Sequence, residues 1–369
     1  MVEPVRRSVV ISAVNIRKGG TLTILQDCLR YLSGRKDLQV TALVHDASLC
    51  RFSGIDYIEI PWSTDSWVKR LWCEYFTMHR ISRSRPEADL WFSLHDTTPR
   101  VRARRQAVYC QTSFPFLKPL LQDWKMDYKI ALFSLLTRFA YRIHIRRNRY
   151  LVVQQPWMRE GLSRLVRFPT GRIIVAPPAL ATPSVPETGL DTIPLFLYPS
   201  TPDCHKNFET VCQAARMLEQ RLGKNRFRVV LTVSGEENRY ARWLHDQFAD
   251  VSSIDFHGFM SQDELYRYYG RATCLVFASR VETWGLPISE FFPTGKPMLL
   301  PDLPYARCTA SGAPAVHFFQ VRDARGLSTL MEKVIRKDDR PFSPVPAAAI
   351  QPPLARDWED LFTLLLSSE

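Results

Sequence analysis

Short β-rich runs alternate with helix-patterned stretches along the chain, and the pattern starts twice. Neighbouring parallel strands need a crossover between them, usually a helix, so this alternation predicts parallel sheets flanked by helices. In the first half, strands are expected at residues 8–14 (SVVISAV), 38–44, 56–61, 89–94, 106–111 and 150–155, with 172–180 closing the set. A helix is expected over 21–34, apolar at helical spacing, preceded by a loop through Lys18, Gly19 and Gly20 and stopped by Gly34. The second half repeats the scheme with strands at 195–200, 226–235, 253–258, 273–279 and 296–301 and a helix over 206–223. Residues 181–194, rich in proline and threonine, read as the linker.

A chain of 369 residues is comfortable for two cores. The expected architecture is α/β, two Rossmann-like doubly wound domains facing a cleft: 1–185, 192–350, and a C-terminal helix in 351–369 crossing back to the first domain. Open sheets of this kind bind ligands beyond the carboxyl ends of their strands.

Composition removes several classes. No run of eighteen apolar residues is present, so no membrane-spanning helix is expected. The opening MVEPVRRSVVISAV has a short apolar run that leads straight into Gly19-Gly20, and it reads as a core strand rather than a secretory leader. Eight scattered cysteines without C-x-x-C spacing argue against a zinc site or disulfide framework and fit a reducing cytoplasm. The net charge of +12 is uneven: residues 1–185 hold 29 Lys and Arg against 14 Asp and Glu, and the rest 20 against 23. The basic excess of the first half points to an anionic partner. No nucleic-acid reading motif surrounds it, so a nucleic acid is not expected to be that partner.

The densest candidate site is RVETWGLPISEFFPTGKP, residues 280–297. Glu282 follows the strand at 273–279 directly. Gly285 and Pro287 then open a helix, with Glu290 one turn in. The free N–H groups of a helix start are a phosphate seat, and a carboxylate near it is placed to accept hydrogen bonds from vicinal hydroxyls. A helix start with a dipole-matched acid explains one glutamate; the ordered set strand, E, GLP, E, G-x-P asks for a ligand.

With these residues in view, the chain resembles retaining glycosyltransferases of family 4, which have the GT-B fold. The likeness covers most of the chain and is most specific over 195–300. Within that family it is similar to bacterial O-antigen and surface-polysaccharide mannosyl- or rhamnosyltransferases, a likeness supported by SLHDTTPRV (93–101), RRQAVYCQTSFPF (104–116) and YLVVQQPWM (150–158). The resemblance implies that Glu282 lies at the reacting face against donor-sugar hydroxyls, that Glu290 binds the ribose, and that Gly285 and Leu286, beside Trp284, meet the diphosphate with backbone amides. Lys206, in CHKNFE, matches the lysine on the donor phosphates, and Gly19 and Gly20 match the N-terminal glycine loop.

Two departures stand out. The family's arginine ahead of that lysine is missing from YPSTPDCHKN, where Thr201 and Asp203 stand, and Arg280 or Arg239 is left to supply the charge. Where relatives commonly have a histidine, this chain has Gln111. His95, partnered by Asp96, is the alternative, read either as a catalytic group or as a structural loop histidine; His205 reads as a loop residue.

The resemblance further implies a nucleotide-sugar donor, GDP-linked by preference, no obligatory metal or other cofactor, and a glycan or polyprenyl-diphosphate-linked acceptor. Localisation is then cytoplasmic, with peripheral contact to the anionic inner face of the membrane. Residues 66–85 and 129–150 mix bases with aromatics; they read either as core-packed helices with solvated charged faces or as that contact surface. The other classes left open are a different GT-B enzyme, such as an epimerase, and a non-catalytic glycan- or sugar-nucleotide-binding protein.

Overall fold

The computed structural model describes residues 6–179 and 192–367, so most of the expected linker at 181–194 lies outside the described residues. The chain divides into two compact units. The first contains a seven-stranded sheet: β1 (Arg7–Ala13), β2 (Leu38–Val44), β3 (Ile55–Glu59), β4 (Leu90–Ser93), β5 (Gln106–Tyr109), β6 (Tyr150–Val153) and β7 (Ile173–Val175). Every pairing is parallel and the strand order is β3-β2-β1-β4-β5-β6-β7.

Alternation along β1 supplies both faces of this sheet. Val9, Ile11 and Ala13 join one apolar layer with Leu25, Cys28, Leu29 and Leu32 of the helix Gly20–Ser33. Val10 faces the other layer with Leu43, Trp91, Cys73 and Met78. The C-terminal helix Trp358–Leu366 covers the first layer, its Phe362 ring 5.7 Å from Tyr31 and 6.0 Å from Phe92. Arg159 fixes the approach to that helix by donating to the Gln351 and Pro353 carbonyls.

The second unit carries a six-stranded parallel sheet: β8 (Leu195–Tyr198), β9 (Arg228–Leu231), β10 (Ile254–Phe256), β11 (Cys274–Val276), β12 (Met298–Pro301) and β13 (Val316–Phe319). Its order is β10-β9-β8-β11-β12-β13, the doubly wound arrangement of the first six strands repeated. The sequence reading lacked β13, whose short VHFF run has two half-buried positions. Both units are therefore Rossmann-like α/β domains. Residues 113–135 group with the second unit and 350–369 with the first. The boundary at 135 falls inside the helix Tyr128–Ala140.

Seven of the eight cysteines are buried thiols and Cys308 is half-buried. No helix among the described residues is long and apolar enough to cross a membrane.

Candidate functional site

In the second unit, β8 and β11 are sheet neighbours but not sequence neighbours, and the strand order reverses between them. A ligand crevice belongs at such a switch point. The loop after β8 ends in a 3-10 turn, Cys204–Lys206, followed by Asn207 in the left-handed region at φ 60°. Asparagine tolerates that conformation, and its side chain here acts as a tie. Asn207 Nδ2 donates to the carbonyls of Ala278 (3.1 Å) and Val321 (2.6 Å), fastening the loops after β8, β11 and β13 together. The Arg280 amide completes the tie by donating to the His205 carbonyl at 2.8 Å.

This fastening places Lys206 Nζ 2.6 Å from Glu282 Oε1, with side chains only 13% and 14% exposed. Two residues 76 positions apart in sequence thus form one half-buried charge pair at the switch point. Beside them, the buried guanidinium of Arg280 pairs with Asp123, a residue from the 113–135 stretch that joins this unit. Arg280 Nε and Nη1 are buried and have no partner. Arg239, the other candidate for the missing cation, sits exposed at the start of the helix Arg239–Phe248.

His205 is buried edge-on against Phe114, ring centroids 5.2 Å apart. Burial, with the charges of Lys206 and Arg280, holds its pKa well below the ordinary histidine value, so it is a neutral imidazole.

Gly285 adopts φ 90°, a conformation that favours glycine, and a Cβ there would stand 3.3 Å from Ile288 Cδ1. It caps the helix Leu286–Phe291, whose six residues tighten into a 3-10 turn at Phe292–Thr294. The expected helix start is present, but its dipole is short. Leu286 is exposed at 44%. Trp284 folds onto the same turn: its Nε1 donates to Ser289 Oγ at 2.7 Å and its carbonyl accepts from the Thr309 hydroxyl. Glu290 Oε2 accepts from the Tyr269 hydroxyl at 2.9 Å. Burial raises the Glu290 pKa, and the Tyr269 hydrogen bond opposes part of that rise.

The first unit has its own switch point between β1 and β4. Gly19 lies at φ 71° and Gly20 opens the helix; no atom lies within 4 Å of a Cβ built on either, so open space adjoins both. His95, just past β4, is buried with both ring nitrogens engaged. Nε2 is 3.0 Å from Ser12 Oγ, and Nδ1 is 3.2 Å from Thr97 Oγ1 and 3.3 Å from Glu74 Oε1. Of its two readings, this geometry favours the structural one. Its carboxylate partner is Glu74 and not Asp96, which corrects the pairing expected from sequence.

Glu74 is fully buried on a π-helical turn, Cys73–Thr77, and binds Arg70 Nε at 2.9 Å. Burial alone would raise its pKa, but His95 and Arg70, with the Thr97 hydrogen bond, outweigh it and hold the carboxyl at about 2. Asp96, at φ 70°, instead clamps the chain after β5: its Oδ1 accepts from the amides of Gln111 (2.5 Å) and Thr112 (2.9 Å) and from the Tyr141 hydroxyl (3.0 Å). Burial raises the Asp96 pKa against these donors. Gln111 Nε2 donates to the Leu94 carbonyl at 2.9 Å, while its Oε1 is buried without a partner.

The second unit thus brings Lys206, Glu282 and Arg280 together, with Gly285 and Glu290 on the adjoining helix. Sequence reasoning missed Asp123, Asn207, Tyr269 and Glu74. Asn207, adjacent to Lys206 and directly before a helix, carried the only local signal.

Residues 186–341 match the family model described as Glycosyl transferases group 1. A curated relative, the O-antigen chain mannosyltransferase B of Escherichia coli, is 26% identical over 159 residues, covering 38% of this chain and 40% of the relative's length. The chain therefore spans about two-fifths of that relative. Among solved structures, it is similar to the lipopolysaccharide outer core galactosyltransferase WaaB in its apo form, with TM-score 0.61, 11% identity and coverage of 90% of this chain and 91% of the other. It is also similar to WaaG, a glycosyltransferase involved in lipopolysaccharide biosynthesis, with TM-score 0.61, 13% identity and coverage of 89% and 90%. A third likeness is to Anabaena Alr3699/HepE solved with UDP-glucose, with TM-score 0.57, 10% identity and coverage of 90% and 91%. At these identities the structural likenesses show the fold, and that fold is GT-B.

Proposed function

We propose that this chain, whose residues 186–341 match the glycosyl transferases group 1 model, is a retaining glycosyltransferase acting in the assembly of a lipopolysaccharide or O-antigen type glycan. The observation that carries the reading is the pair Lys206 Nζ–Glu282 Oε1, 2.6 Å apart at the β8/β11 switch point. A lysine and a carboxylate held in one place suit a donor that is both anionic and polyhydroxylated. On binding, Lys206 turns to the diphosphate and Glu282 accepts hydrogen bonds from the sugar hydroxyls, so each exchanges its present partner for the ligand.

In the reaction the bond between the anomeric carbon and the diphosphate oxygen breaks, and its electron pair leaves with the nucleoside diphosphate. The acceptor hydroxyl oxygen bonds to the same carbon from the same face, and its proton passes to the leaving diphosphate. Charge grows on the diphosphate as the bond breaks, so a cation fixed there stabilises the transition state more than the ground state. Lys206 is one such cation. Arg280, whose buried Nε and Nη1 have no partner, supplies the second and takes the place of the arginine missing from the β8 loop. With these two cations and the Gly285 turn in place, no obligatory metal is invoked. Glu290, oriented by Tyr269, accepts from the ribose hydroxyls. Gly20 serves the donor, and Gly19 and Gln111 Oε1 serve the acceptor side; open space adjoins both glycines.

The name of the Escherichia coli relative supports a mannosyl donor, and we propose GDP-mannose or a GDP-deoxyhexose. A polyprenyl-diphosphate-linked acceptor then places the chain in peripheral contact with the inner membrane face.

Thermal unfolding with GDP, UDP, ADP and dTDP in EDTA tests the donor site, because a ligand that binds only the native state raises stability by mass action. A shift with GDP alone is expected. A larger shift with UDP replaces the donor assignment. No shift with any nucleotide, even with magnesium restored, together with no turnover of donor and acceptor, overturns the enzymatic reading.

A further inference from the structure

The 3-10 turn after β8 holds His205 between Cys204 and Lys206, with the residue only 7% exposed. Phe114 fixes its ring from one side, and Phe114 in turn packs edge-on against Phe133 at 5.4 Å. An aromatic pair from the 113–135 stretch thus sets the place of the imidazole within the second unit. Edge-to-face packing orients a ring but satisfies no nitrogen. His205 Nδ1 is buried and has no hydrogen-bond partner.

Arg280 lies against the same turn. Its amide donates to the His205 carbonyl, and its Nη2 reaches the Cys204 carbonyl at 3.4 Å and the Asp123 carboxylate. Its Nε and Nη1, like His205 Nδ1, are buried without a partner. Three nitrogen atoms on two neighbouring side chains therefore stand unmet in one loop cluster. A buried polar atom without a partner is a standing cost, and native structures hold few of them. Three together, beside the Lys206–Glu282 pair, call for one ligand that accepts several hydrogen bonds.

Charge narrows that ligand. An ionised histidine would be a third cation next to Lys206 and Arg280, and burial together with those charges keeps this imidazole neutral. A neutral imidazole carries one N–H, and an acceptor at Nδ1 selects the tautomer with the proton there. His205 has no carboxylate to release before it donates, whereas Lys206 and Arg280 hold Glu282 and Asp123. A diphosphate offers oxygens enough for all three side chains and a charge that complements both cations.

We propose that His205 is a further donor-binding residue, its Nδ1–H donating to the diphosphate of the nucleotide sugar alongside Lys206 and Arg280. This role rests on the donor site proposed for Lys206 and Glu282, and it falls to a residue that reads from sequence as part of a loop. The contact is to the leaving group, where charge grows as the anomeric bond breaks, so it favours the transition state over the bound substrate.

Two substitutions separate hydrogen bonding from packing. His205→Phe keeps a ring against Phe114 and removes the N–H. His205→Asn removes the ring and keeps an N–H at the same remove from the main chain as Nδ1. Calorimetric titration in EDTA, with inorganic pyrophosphate and with the nucleoside diphosphates of the thermal screen, reads the affinity. His205→Phe should bind about tenfold to a hundredfold more weakly than the wild type, and His205→Asn should recover part of that loss. Melts without ligand should run in the opposite order, with His205→Phe at or above the wild-type Tm, because an apolar ring replaces one with an unmet polar atom. A residue that served packing alone would give the same order in both measurements. Wild-type affinity in His205→Phe, or no recovery in folded His205→Asn, overturns the role. Lys206→Ala in the same titrations keeps this result apart from the donor-site reading. A loss there with none in His205→Phe rejects His205 alone, and a wild type that binds none of these ligands rejects both.

Discussion

Lys206 Nζ lies 2.6 Å from Glu282 Oε1, a charge contact that joins the loops leaving β8 and β11. Each side chain is mostly buried, so neither is solvated well enough to be indifferent to losing the other. The Asn207 tie to Ala278 and Val321 holds the pair there.

If these two groups receive the donor, Lys206→Ala should lower kcat/KM by about 10²–10³, the usual loss when one preorganised donor to a growing negative charge is removed. Glu282→Gln should cost turnover with little change in nucleotide affinity, because its proposed contacts are to the sugar. Steady-state kinetics and GDP titration on the same preparations separate the two. Unchanged kinetics in both folded variants would remove the pair from the mechanism.

Arg280 and Asp123 form a buried ion pair within the second unit. Removing one partner strands the other charge, so Asp123→Ala should destabilise by about 3–5 kcal/mol in urea denaturation. The double variant with Arg280→Ala should recover part of that loss, giving a coupling of roughly 1–3 kcal/mol. Additive losses would show that the pair is not coupled.

Burial raises the pKa of Glu290, so the native state holds that proton more tightly than the unfolded chain. Its contribution to stability is therefore present at low pH and lost as pH rises through the folded pKa. Ribose hydroxyls need the ionised form, so GDP affinity should climb with pH across the same interval. Tyr269→Phe removes the hydrogen bond that opposes the rise, and it should move the midpoint to higher pH. Glu290→Gln should abolish the dependence. Isothermal titration at several pH values reads both, and an unmoved midpoint in Tyr269→Phe would break the link between the two residues.

Glu74 has the opposite sign. Its carboxyl is held at about 2 against an ordinary value of 4.5. The stability it supplies is complete above the unfolded value and disappears as pH falls from about 5 toward 2. The whole term is on the order of 2–4 kcal/mol. Thermal melts of Glu74→Gln should show a lower Tm at neutral pH and a flatter acid limb than the wild type. A parallel acid limb would mean that other carboxylates govern acid unfolding.

Much of this molecule was legible in its residues. The twofold run of β-rich and helical segments determined two parallel α/β domains, because strand and helix periodicities are local and each apolar face must be covered. The E-GLP-E arrangement marked the loop–helix–strand unit after β11, since a positive-φ glycine and a helix-opening proline are also local requirements. What the residues could not settle was pairing across long separations. Lys206 with Glu282, Arg280 with Asp123 and His95 with Glu74 are 76, 157 and 21 positions apart. No local propensity encodes such partners; strand order and burial choose them. Burial likewise gave His95 internal hydrogen-bond partners on both ring nitrogens, and packing left Trp72 and Phe139 outside the core although their segments carry helical apolar spacing. Periodicity states which residues share a face, but only the packed structure decides whether another element covers it.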